Sequence, residues 1–125
     1  MSIIVSTNTR NITEKTDDEI LVIANPLWRH LLHSSNTGQY GEFVKHFSEN
    51  LVRGLNEIEV GKQFANSELT RNLSESIEFI GTIRRGAHIT VLYRQRSTKK
   101  EGEWLGRLVL GYEEEDIKIF GASIF

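Results

Sequence analysis

Residues 76–96, SIEFIGTIRRGAHITVLYRQR, are the stretch on which the fold turns, because here the apolar residues change from helical spacing to alternation. SIEFIGTIR (76–84) and AHITVLYRQR (87–96) read as two strands joined at Arg85-Gly86, a hairpin-length connection with the glycine such a turn favours. The pattern continues after a polar loop, STKKEG (97–102), into EWLGRLVLGY (103–112). EEED (113–116) then leads into IKIFGASIF (117–125). Four strands with short connections imply an antiparallel meander.

Upstream the period is helical. Thr16-Asp-Asp-Glu19 is a capping box, and Ile20, Ile23, Ala24, Leu27, Trp28, Leu31 and Leu32 follow on one stripe. Pro26 lies about opposite the stripe's centre, so a bent but continuous helix is expected. SSNTG (34–38) ends it. A second, shorter helix is expected with Tyr40, Phe43, Val44, Phe47 and Leu51 on one face. Residues 56–73 imply one or two helical turns, with Ile58, Phe64, Leu69 and Leu73 inward. Residues 1–15 read as a loose or docked arm, leaving a single domain over 16–125.

Composition sets the outer limits. A chain of 125 residues is one domain able to bury a core without staples. A net charge of −2 argues against a constitutive nucleic-acid binder. With no cysteine, disulfides, thiolate metal sites and cysteine nucleophiles are excluded. No apolar run reaches the length of a spanning helix, and the opening residues lack the pattern of a secretory signal. A cytosolic protein with no membrane partner is expected.

Strand register gives an expected face for each residue. With Arg85-Gly86 as the turn, Ile83 faces His88 and Phe79 faces Leu92; with Arg96 opposite Trp104, Leu92 faces Leu108. His88, Thr90, Leu92, Arg94, Trp104, Leu108, Leu110, Tyr112, Ile117 and Ile119 then look toward the helices. The other face still carries Ile80, Ile89, Val91, Tyr93, Leu105, Val109 and Phe120, more apolar surface than a monomer leaves in water. A homodimer through that face is the expected partner arrangement.

LWRHLLHSSNTGQYGEFVKHFSENL (27–51), the FIGTIRRGAHITVLYRQR hairpin and EWLGRLVLGYEEEDIKIFGASIF together resemble the nuclear transport factor 2-like superfamily, which includes ketosteroid isomerases and polyketide cyclases. The resemblance lies in element order across residues 17–125 rather than in an invariant motif. It implies an α+β cone: N-terminal helices packed on a curved, mainly antiparallel sheet of four or more strands, with a pocket at the open end. It also implies dimers through the sheet's outer face. The family's enzymes place a carboxylate base after the second helix and often a tyrosine on the first. Here LVRGLNEIE (51–59) has no aspartate, only Glu57 and Glu59, and the first helix has no tyrosine.

The candidate chemistry is sparse. His30, His33 and His46 fall off the apolar stripes, and no further ligand completes a metal site. His88 is the one candidate acid/base, set by the register at the pocket rim beside Thr90 and near Tyr112. Arg94 offers a partner for an anion, and Trp28 or Trp104 a flat wall. The basic residues of the sheet half divide between both faces and are offset by EEED, so no nucleic-acid surface is expected. Neither a cofactor motif nor a serine-nucleophile motif is present. The expected ligand set is therefore Trp28, His88, Arg94, Trp104 and Tyr112. The leading function is small-molecule binding. Proton-transfer chemistry by an isomerase, dehydratase or cyclase is the second. A third is an interaction module whose pocket is filled by Trp28, Trp104 and Phe79.

Overall fold

The structure is a computed structural model that describes residues 11–55 and 67–125. Residues 1–10 of the expected arm, and the expected inward contacts Ile58 and Phe64, lie outside the described residues.

The capping box forms as its sequence dictates. The Glu19 amide donates to Thr16 Oγ1 at 3.2 Å, and the Thr16 amide to Glu19 Oε1 at 2.9 Å. Helix α1 then runs unbroken over Asp17–Asn36, with Pro26 inside it on the exposed side. A proline there leaves its missing hydrogen bond next to water, where the loss is cheapest. Ile20, Ala24, Trp28, Leu31 and Leu32 are buried on the opposite side.

The start of the described chain is docked. Asn11 caps a 3-10 turn, Ile12–Glu14, and Ile12 is 0% exposed, as much core as any strand residue. Arg84 fastens this turn to the sheet, donating to the carbonyls of Lys15 at 2.7 Å and Thr13 at 3.2 Å.

The expected second helix is instead two short ones, α2 (Tyr40–Phe43) and α3 (Glu49–Arg53). Between them the chain extends to pair with the last strand: Phe47 forms a parallel bridge with Ile119. The Ser48 amide donates to the Ile119 carbonyl, and the Ile119 amide to the His46 carbonyl, both at 2.8 Å. Ser48 then caps α3. Helical spacing of Phe43, Phe47 and Leu51 survives this break because all three still point at the same core.

The meander is present as β1 (Phe79–Arg85), β2 (His88–Gln95), β3 (Trp104–Glu113) and β4 (Asp116–Ile124), in the order β1-β2-β3-β4 and antiparallel throughout. The first hairpin turns at Gly86-Ala87 rather than Arg85-Gly86. Arg85 pairs with His88, and Gly86 takes the positive φ of 60° that the turn requires.

Between β2 and β3 the register differs from expectation by one residue. Gln95, not Arg96, faces Trp104, and Val91 faces Leu108. A one-residue slip exchanges the two faces of a strand. Ile89, Val91, Tyr93 and Gln95 are therefore buried against the helices, and His88, Thr90, Leu92 and Arg94 look the other way. Ile83, expected inward, is 48% exposed on that same outer face. Alternation alone was ambiguous in β2, because both of its faces are apolar. What decides is partner chemistry: Tyr93 and Gln95 meet polar groups of α1, whereas Arg94 meets Glu103 at 2.6 Å outside. No helix among the described residues is long and apolar enough to cross a membrane.

Candidate functional site

Trp28 is the keystone of the helix–sheet contact. Its indole stacks on Tyr93, centroids 5.0 Å apart and planes 13° from parallel, and its Nε1 donates to Gln95 Oε1 at 3.2 Å. Gln95 Nε2 in turn donates to the carbonyls of Ser74 at 2.7 Å and Arg96 at 2.9 Å. The Tyr93 hydroxyl donates to Asn25 Oδ1 at 2.9 Å. Burial pushes the Tyr93 pKa far above its ordinary value, so the phenol remains a neutral donor. Gly106 lies beneath the indole, where a Cβ would come within 2.5 Å of Trp28 Cζ2.

Beside this keystone lies a cavity of about 460 Å³. Helix α1 contributes Trp28, Leu31, Leu32 and Ser35. The α2–α3 region contributes Phe43, Phe47, Leu51 and Leu55. Leu69, Thr70 and Leu73 come from the turns before the sheet, and Ala122, Ser123 and Ile124 from β4. Phe43 and Phe47 meet edge to face, with ring centroids 5.4 Å apart. No Asp, Glu, Lys, Arg or His is among the described lining residues. The few polar groups are hydroxyls, and Ser35 already donates to the Thr70 carbonyl. Such walls suit an uncharged apolar ligand; the volume lies in the range of small-molecule sites.

Of the five expected ligand residues only Trp28 lines this cavity. Trp104 is half-buried on the helix side of the sheet, near Gly102, outside the lining. Tyr112 lines a separate polar hollow with Asn11, Glu14, Lys15 and Glu19. His88 and Arg94 are on the outer face. The His88 ring lies over Gly111 and edge-on to Phe120, 4.7 Å between centroids, which removes it from the pocket rim where the shifted register had placed it. Glu57 and Glu59 lie outside the described residues.

The remaining histidines are distributed differently. His33 is exposed and faces Glu75 at 3.4 Å. His30 and His46 meet edge to face at 5.4 Å, behind the Phe43–Phe47 wall. His30 Nε2 hydrogen-bonds the Glu42 carbonyl at 2.7 Å and lies 3.6 Å from its carboxylate. Among the described residues no three His, Asp or Glu side chains are placed to hold a metal ion.

The outer face has its own character. Ile83, Leu92, Leu105, Val109 and Phe120 occupy it, with Leu105 38% and the neighbouring Phe125 66% exposed. No family model matches the chain, and no curated protein matches it.

Proposed function

We propose that this protein is a small-molecule binder that holds an uncharged, largely apolar ligand in the cavity between α1, the α2–α3 region and β4. The observation that carries this reading is a 460 Å³ space with apolar walls and no ionisable side chain among its described lining. That lining favours binding over proton transfer, which needs a titratable group within reach of the reacting atom. The proposal also takes in the resemblance in element order to the nuclear transport factor 2-like superfamily, with a conical cavity in a cytosolic protein, on the strength of the sequence pattern alone.

The test uses Nile red, a neutral apolar dye whose fluorescence rises on desolvation. Saturable binding is expected, and Ala122→Phe, which projects a ring into the cavity, should weaken it at least about tenfold. Undiminished binding by a folded Ala122→Phe protein would place the dye elsewhere and sink the cavity reading.

The second part of the proposal is a homodimer through the outer sheet face. Exposed Ile83 and Leu105, with half-buried Leu92, Val109 and Phe120 on the same face, form an apolar surface that a second copy of that face would cover.

A further inference from the structure

Behind the aromatic wall of the cavity, the chain makes a contact that nothing in ligand binding itself requires. His46 sits in the extended segment that bridges to Ile119, and the next residue, Phe47, is both the bridge partner and a cavity wall. Glu42 and Phe43 are likewise neighbours, one facing His30 and the other facing the cavity. His46 and the two phenyl rings thus share one short piece of chain, and His30 of α1 meets that piece edge-on at His46.

The charges around His46 are unbalanced. His30 of α1, Lys45 on its own segment and Lys118 of β4 all oppose a proton there; Glu42 of α2 alone favours one. Glu42 is already engaged by His30. Further along the chain, Glu49 of α3 pairs with Arg53, and Glu113 of β3 accepts from the Glu49 amide at 2.8 Å. Partial burial is the largest cost of charging the ring, ahead of these neighbouring charges.

We propose that His30, Glu42 and His46 form a proton-operated latch on the cavity. Protonation of His46 drives the His46–Ser48 segment off Ile119 and withdraws Phe47 from the wall. This inference rests on the binding reading above. The linkage sign is set by the lowered His46 pKa: the closed arrangement is fully favoured above the ordinary value of 6.5. That preference is lost as pH falls through the depressed folded value. The ligand is therefore held at neutral pH and released in acid.

Two readouts separate the latch from the binding reading. Hydrogen exchange of the Ser48 and Ile119 amides, corrected for intrinsic rate, is compared at pH 7.5 and 5.5 against the central strands β2 and β3. Protection of these two amides should fall about three- to tenfold more than that of the reference, and Nile red affinity should fall by a similar factor. His46→Gln should abolish both changes. His30→Gln, which removes one opposing charge, should shrink them. Unchanged relative protection at Ile119 overturns the latch, as does a step that His30→Gln leaves at full size. Absence of Nile red binding at pH 7.5 overturns the cavity reading alone, since the exchange measurement needs no ligand.

Discussion

Gly106 allows Trp28 to lie flat on the sheet. A methyl group there would overlap the indole, which is pinned by Tyr93 and Gln95 and has little room to retreat. Gly106→Ala is expected to cost about 1–3 kcal/mol in urea unfolding. Glu114 is the converse case, an ordinary residue at φ 58° in the β3–β4 turn. Glu114→Gly should gain roughly 1 kcal/mol by relieving the left-handed backbone, read as a higher urea midpoint at unchanged slope. Neither position was legible in the sequence. Gly106 looks like any strand glycine until the partner above it is known. EEED names a turn without saying which glutamate bends back. Trp28 itself was legible, because its place on the apolar stripe and its size both put it inward. His88 and Arg94 were set inward by a register that one residue of loop length undoes; Trp104 and Tyr112 keep their expected side of the sheet but lie outside the cavity, whose walls Phe43, Phe47 and Leu73 carry no chemical signature apart from hydrophobicity.

At the scale of elements, local signals held where their partners are close in sequence. The Thr16 capping box needs only four consecutive residues, and it starts α1 where the sequence places it. Thr16→Ala should cost about 1 kcal/mol of stability by chemical denaturation. The strands were legible as elements to within a few residues, while the break between α2 and α3 was not, since it depends on Ile119, some seventy positions away. The carboxylates that tie elements together give the acid limb of the stability profile. Thr82 and Arg84 hold Asp17 below its ordinary pKa, the Thr16 amide and hydroxyl hold Glu19 below its own, and Arg96 does so for Glu78. Each is depressed on folding, so its contribution is complete above the ordinary values of 3.8 and 4.5 and is lost as pH falls through the folded values. A pH series of melting temperatures should show a first decline beginning near 6.5, removed by His46→Gln, and a second below about 4.5, of which the part below about 3.8 is reduced by Arg84→Gln.

The described residues form an apolar cavity on one side of the sheet and an apolar outer face on the other, and the two should respond to different substitutions. Leu105→Lys puts a charge into the outer surface without touching the cavity lining. It is expected to leave Nile red binding intact while shifting a sedimenting dimer to monomer at micromolar protein; a wild-type chain that is monomeric there would end the dimer proposal. The bridge between Phe47 and Ile119 also orders events in time. The meander can assemble strand by strand from neighbours in sequence, so its hairpins form early. The cavity cannot, because three of its lining residues, Ala122, Ser123 and Ile124, and the bridge that holds Phe47 all belong to β4, which leaves a ribosome after β1, β2 and β3. During synthesis α1 can already meet Tyr93 and Gln95 of β2, but the α2–α3 region must wait with its apolar side unmet, and it is the arrival of β4 that completes the walls.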